Sequence, residues 1–172
     1  MKITIINSTD KPYSQLDFDN KNDYSIINLK QLDIKYCLGC FECWYKTPGI
    51  CVQKDDMPIV LSATINSDLT VFVSDVKVGF VSAALKKIND KSIPLLSPYM
   101  SILKDEVHHA PRYDKYPEYG LILTNDYEID NEVFELIESC YKRYAYNFRS
   151  ELKFTLIDHS DLGGLKNEIN HN

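Results

Sequence analysis

"KITIIN" at residues 2–7 carries isoleucine at 3, 5 and 6 and stops at Asn7, a short β-branched run closed by a turn residue. Such a run reads as a strand buried on both faces, as at the centre of a parallel sheet. The signature returns in "YSIINL" (24–29), "LTVFVS" (69–74), "YGLILT" (119–124) and "ELKFTLID" (151–158). Helical patterns lie between. In "DMPIVLSATINSD" a cap at Asp55 or Asp56 and Pro58 in the first turn announce a helix start. "FVSAALKKIND" sets Val81, Ala84, Leu85 and Ile88 on one face. "DNEVFELIESCYKRYAYNF" predicts the clearest helix, with Asp130 as N-cap and an apolar stripe of Val133, Leu136, Ile137, Cys140 and Tyr144. Strands alternating with helices imply right-handed crossovers and a five-stranded, doubly wound parallel sheet in a three-layer α/β/α fold. Ligands of such sheets sit at the carboxyl ends of the strands.

At 172 residues the chain predicts one domain, 1–172. Its balance of 44% hydrophobic to 26% charged residues is globular, and the net charge of -6 argues against a nucleic-acid partner. The first residues lack the apolar run of a signal segment, and no stretch is apolar for long enough to cross a membrane, so a cytoplasmic location is expected. Residues 92–118 show no sustained period and read as an irregular surface excursion. The tail 159–172 is expected to fray.

After the second strand comes "YCLGCFECWYKTPGICVQKDDM" (36–57), with four of the five cysteines at C-x2-C-x2-C-x7-C. In a reducing compartment such spacing reads as metal-binding, cluster-binding or catalytic before it reads as disulfide. Cys37, Cys40 and Cys43 advance one thiolate per step around a cuboidal iron–sulfur cluster, and Cys51 closes the set after the bend at Pro48-Gly49. The same residues also admit a tetrahedral zinc, a redox pair at Cys40 and Cys43, or plain packing. Cys140, on an apolar helix face, reads as core.

The run "CLGCFECWYKTPGICVQKDDM" resembles the cysteine segment of the NAD(P)H-dependent FMN reductase and iron–sulfur flavoprotein group of the flavodoxin-like superfamily. The residues that carry the likeness are Cys37, Gly39, Cys40, Cys43, Cys51, Asp55, Asp56 and Met57. The resemblance implies a flavodoxin-like fold, FMN at the carboxyl edge of the sheet, NAD(P)H or a redox protein as electron source, and homo-oligomers. In the iron–sulfur members of the group the four cysteines hold a 4Fe–4S cluster; other members carry a similar run without one. Carried over, the flavin contacts would be Ser8, Thr9 and Ser14 after the first strand and Ser74, Val76, Lys77 and Gly79 after the third.

Two stretches depart from the group's pattern. "NSTDKPYSQLDFDNKND" (7–23) is short for a phosphate loop plus a helix and carries Asp10, Asp17, Asp19 and Asp23, so a degenerate or missing first helix is expected. "SDVKVGFVSAALK" (74–86) keeps Ser74, Gly79, Ser82, Leu85 and Lys86, but Asp75 stands where the group has proline and Lys77 where it has a flavin-stacking aromatic. Lys77 is either a partner for a reduced, anionic flavin or a solvated surface lysine. Trp44 and Tyr45 could cover a flavin ring or meet a neighbouring subunit; His108, His109, Arg112 and Tyr113 read as metal or proton ligands or as structural and interface residues. Two functions follow: a flavodoxin-like oxidoreductase or electron carrier using FMN, or a diverged, flavin-free binding or assembly module.

Overall fold

The computed structural model describes residues 1–12, 22–125 and 127–158. The strands are β1 (Lys2–Asn7), β2 (Asp23–Asn28), β3 (Leu69–Lys77), β4 (Phe80–Val81), β5 (Leu96–Leu103), β6 (Glu106–Pro111), β7 (Glu118–Thr124) and β8 (Leu152–Asp158). The helices are α1 (Glu42–Tyr45), α2 (Met57–Ile65), α3 (Ala83–Asp90) and α4 (Asn131–Asn147). The main sheet runs β2-β1-β3-β7-β8, every neighbour parallel, as the isoleucine-rich runs predict. Ser14, with the rest of residues 13–21 of the first crossover, and the tail from 159 lie outside the described residues.

Alternation along the strands feeds two cores. Ile6, Phe72, Leu121 and Leu123 face α2, α3 and α4 and pack with Met57, Val60, Leu85, Ile88, Ile137 and Tyr141. Ile3, Ile5, Val71, Val73 and Ile122 form the second cluster on the opposite face, with Phe154 and Leu156 against it. Helix starts follow their sequence signals. Asp130 accepts the Glu132 N–H at 2.8 Å, and Ser82 accepts that of Leu85 at 3.3 Å. At α2 the N-cap residue is Asp56, yet Asp55 makes the bond to the Met57 N–H, at 3.1 Å.

Three readings are corrected. The segment 92–118 is not irregular: Leu96–Leu103 and Glu106–Pro111 form an antiparallel hairpin that pairs Met100 with His109 and Ile102 with Val107. Its two-residue turn, Lys104-Asp105, has φ of 46° and 65°, the mirror-image turn geometry that hairpins favour, here without the usual glycine. The face of α4 is rotated from the stripe read in sequence: Leu136 and Cys140 are exposed, while Ile137, Tyr141 and Ala145 are buried. The cause is aromatic. Tyr141 and Tyr144 meet Phe72 edge-on, each at 5.7 Å, and that large-ring contact outweighs one leucine and one cysteine in choosing the inward face. Finally, β3 runs past Ser74 to Lys77 and folds back on β4.

Tyr119 sits under Phe72, nearly coplanar at 5.8 Å, fully buried, and its hydroxyl has no partner among the described residues. Burial pushes the phenol well above its ordinary range, so it stays neutral. An unmade buried hydrogen bond costs about 1–3 kcal/mol. Tyr119→Phe is therefore expected to raise the unfolding free energy by about 1 kcal/mol in urea melts; a loss instead would show that the hydroxyl has a partner.

Candidate functional site

The loops at the carboxyl ends of β1, β2 and β3 meet at one edge of the sheet. After β1, Asn7 Oδ1 accepts the Thr9 N–H at 2.9 Å and the Thr9 hydroxyl at 2.8 Å, and Asn7 Nδ2 donates to the Lys11 carbonyl at 3.0 Å. The turn closes on itself. Ser8 Oγ donates to the Val73 carbonyl at 2.9 Å and accepts from Ser82 Oγ at 2.8 Å. The Ser82 N–H donates to Ser74 Oγ at 2.8 Å, and that hydroxyl donates to the Asp75 carbonyl at 2.9 Å. Ser8 and Ser74, proposed from sequence as flavin contacts, are thus brought together through Ser82 in a buried hydroxyl chain. Thr9 is buried beside it. These hydroxyls are engaged with one another and with backbone.

Past Ser74, Val76 is buried against Val81, while Lys77 is exposed and pairs across the strand with Phe80. The connecting Val78-Gly79 turn has φ of 51° and 73°. Glycine takes that region freely. A β-branched valine does not, and Val78 is also wholly exposed, so this turn tip holds a strained apolar side chain in water. Asp75, in place of the group's proline, accepts the Thr124 hydroxyl at 2.7 Å and ties β3 to β7.

After β2 the chain makes the cysteine excursion. Left-handed backbone at Gly39 (φ 63°) and Phe41 (φ 56°) coils the first part, and the single turn α1 carries Cys43. Gly49 (φ 90°) supplies the second bend, donating its N–H to the Cys43 carbonyl at 3.1 Å. As a result Cys37, Cys40, Cys43 and Cys51 all border one small cavity, whose remaining wall is mainly Leu38, Phe41, Val52 and Ile93. Burial pushes the Cys43 thiol up, and the neighbouring Cys51, Cys37 and Cys40 add to the effect, as expected of sulfurs crowded at one place.

No group of three or more His, Cys, Asp or Glu side chains among the described residues is gathered to hold a single metal ion. A cuboidal cluster asks for something different, four thiolates standing apart at the corners of a polyhedron with an apolar surround. Four cysteines around one mostly apolar cavity match the number and kind of donors that such a cluster takes. Trp44 braces the loop: its ring stacks on Phe41 at 5.1 Å, meets His109 at 4.7 Å, and donates Nε1–H to the Ile93 carbonyl at 3.1 Å.

Two residues that sequence reasoning missed belong to the site, Gln53 in the cavity wall and Lys91 behind it. Lys91, its side chain 1% exposed, donates Nζ–H to Asp55, whose own side chain is fully buried. It donates also to Gln53 Oε1 at 3.0 Å, and Gln53 lines the cavity. "KKINDK" offers three lysines and no local signal that the last is interior. Of the paired histidines, His108 is buried, with Nδ1 2.9 Å from Asn147 Oδ1 and Nε2 3.0 Å from Glu106, and His109 packs against Trp44. Arg112 donates to the carbonyls of Pro94 and Leu96, pinning the hairpin.

This sheet order and site edge define a flavodoxin-like α/β protein. Azoreductase AzrA superposes on 98% of the chain and 93% of its own length with a TM-score of 0.62 at 12% identity. An FMN-dependent NADH-azoreductase of Bacillus anthracis, solved with FMN, covers 96% and 92% with a TM-score of 0.55 at 14% identity. Two iron–sulfur flavoproteins of Archaeoglobus fulgidus are 34% and 35% identical over 68 and 71 residues, 40% and 41% of this chain. The matched stretch spans about a third of the length of those curated relatives. No family model matches the chain. The chain has the fold of the azoreductases and, over about two fifths of its length, is similar in sequence to iron–sulfur flavoproteins.

Proposed function

We propose that this protein is a flavodoxin-like oxidoreductase or electron carrier that holds a 4Fe–4S cluster at Cys37, Cys40, Cys43 and Cys51 and FMN at the adjoining sheet edge, with NAD(P)H or a redox protein as electron source. The observation that carries the reading is the convergence of all four cysteines on one cavity at the carboxyl end of β2. Bound there, the cluster would supply one-electron chemistry and the flavin the exchange between hydride and single electrons. The chain's own part is to hold and shield: four thiolates bind iron, Leu38, Phe41 and Ile93 exclude water, and Trp44 fixes the loop to the turn before the hairpin. Exposed Tyr36, Leu38, Phe41 and Tyr45 on the loop, and Met100, Ile102 and Val107 on the hairpin, supply an apolar contact surface for a second copy. The location proposed is cytoplasmic; no helix of the described residues is long and apolar enough to cross a membrane.

A second reading has its own observation. The hydroxyls of Ser8, Thr9, Ser74 and Ser82 are all engaged internally, which supports a flavin-free binding module that keeps only the cysteine site. An absorption spectrum of anaerobically purified protein, before and after dithionite, with iron and acid-labile sulfide assayed on the same sample, separates the readings. The first expects flavin bands together with a broad, bleachable cluster absorbance that disappears in Cys40→Ser. Cluster absorbance without flavin uptake selects the second. Protein that binds neither iron nor FMN after anaerobic reconstitution overturns both.

A further inference from the structure

The last turns of α3 and α4, Ile93 and the hairpin of β5 and β6 enclose a second cavity of about 340 Å³. Asn89, Met100, Val107, His109, Tyr144 and Phe148 border it, and the volume suits a small organic molecule. It lies at the opposite end of α3 from Ser82 and the hydroxyl chain. Ile93 is shared with the cysteine cavity, but no cysteine lines this one. Two of its residues hold spare polar atoms. Asn89 Nδ2 donates to the Tyr141 hydroxyl at 2.7 Å, and its Oδ1 is buried with no partner among the described residues. His109 Nδ1 is buried and unpartnered in the same way, its ring 4.7 Å from that of Trp44. Both atoms are shut off from water although their residues border the cavity, so turning either toward a bound donor gains a hydrogen bond without breaking one to water.

The surroundings favour positive charge. α3 and α4 both bring their carboxyl ends here, and the last turn of α4 carries no basic residue. Lys87, in the last turn of α3, donates to the Ile34 carbonyl at 2.7 Å. Tyr144 and Phe148 add aromatic rings, which attract a cation. Among the described residues no Lys, Arg, Asp or Glu borders the cavity. His108, the second histidine of the wall, is held between Asn147 and Glu106, and Glu106 also pairs with Arg143.

We propose that this cavity is a binding site for an organic amine in its ammonium form. An ammonium donates and accepts nothing, which matches a wall whose spare atoms are acceptors. Its N–H groups meet Asn89 Oδ1 and His109 Nδ1, the histidine taking the neutral tautomer with its proton on Nε2. An aromatic or aliphatic body then lies against Leu96, Met100, Val107 and Phe148. The site stands apart from the cluster and flavin readings, since no thiol and no residue of the hydroxyl chain takes part.

The test is calorimetric titration of the full chain, at neutral pH and physiological salt, with phenethylamine, phenethyl alcohol and phenylacetate, one ring carrying an ammonium, a hydroxyl or a carboxylate. Fluorescence of Trp44, the only tryptophan, gives a second readout through its contact with His109. The amine is expected to bind about tenfold more tightly than the alcohol, and phenylacetate most weakly. Val107 is 66% exposed, so Val107→Arg places a cation at the rim without disturbing the core; it is expected to weaken the amine about tenfold and to spare phenylacetate. His109→Phe keeps a ring against Trp44 and removes the acceptor, and is expected to weaken the amine more than the alcohol. Thermal melts confirm that both variants fold. Equal affinity for amine and alcohol, an amine affinity unchanged in Val107→Arg, or no binding of any probe at millimolar concentration overturns the proposal.

Discussion

Lys91→Met is expected to cost about 3–5 kcal/mol of folding free energy, because it strands the Asp55 carboxylate in the interior without its cation. The two side chains are 1% and 0% exposed, and they join α3 to the start of α2 across the base of the cysteine loop. Removing both charges is a different matter. In Lys91→Met/Asp55→Asn the single amide oxygen keeps one of the two backbone N–H bonds that the carboxylate accepts from Lys35 and Met57, and no charge is left buried, so the double variant should be more stable than the single one. Acid should narrow the gap. Burial alone pushes the Asp55 carboxyl up, but the Lys91 ammonium and the N–H groups of Lys35 and Met57 outweigh it and hold the carboxyl below its ordinary value. A depressed folded value means that this stabilisation is full above the unfolded value of about 4 and fades as pH falls through the folded one. Urea melts of wild type and Lys91→Met from neutral pH downward should therefore converge in that acid range. A neutral-pH loss below about 0.5 kcal/mol, no larger than a surface substitution gives, would mean that the pair is not buried as described.

Gly120→Ala should also destabilise, although alanine ordinarily improves a strand by about 0.5–1 kcal/mol over glycine. Gly120 lies in β7 directly opposite Phe154 of β8. A Cβ placed there would stand 2.4 Å from Phe154 Cζ and 2.7 Å from Cε2, closer than real contacts come. The ring must swing off the sheet, leaving the cluster of Ile3, Ile5, Val71, Val73 and Ile122. Fully burying such a side chain is worth about 1.5–3 kcal/mol, and the ring is only partly buried, so the net loss expected is about 1–2 kcal/mol. The signature is non-additivity: in a Phe154→Leu background Gly120→Ala should cost little or nothing. Equal costs in both backgrounds would place the strain elsewhere than on this ring.

Much of the fold could be read from single runs of sequence. Five β-branched segments gave the five parallel strands because buried parallel strands need no polar alternation. Asp130 announces its helix start through its side-chain cap; Ser82, which the sequence offers only as a residue shared with the group's pattern, caps another. The hairpin at Leu96–Pro111 and the fold-back at Val78-Gly79 escaped because their turns place Lys104, Asp105 and Val78 at positive φ, where sequence leads one to look for glycine or asparagine. The stripe on α4 was misjudged by its edges, since periodicity finds an apolar arc but only the facing rings of Phe72 and Tyr119 decide its centre. At the site, spacing alone brought the four cysteines together. The lysine behind them could not be foreseen, because its burial depends on where α3 ends relative to a loop far back in the chain.

That dependence also sets an order of events. Residues 37–51 carry every sulfur of the cavity, yet Ile93 completes its wall, Lys91 closes its base and the Trp44 anchor is the carbonyl of Ile93. A growing chain exposes all four thiols well before residues 91–93 exist to enclose them. The cavity is thus finished only after β3 and α3 are made, and a guest that needs the closed cavity enters a chain grown past Ile93, not one that ends with the cysteine loop.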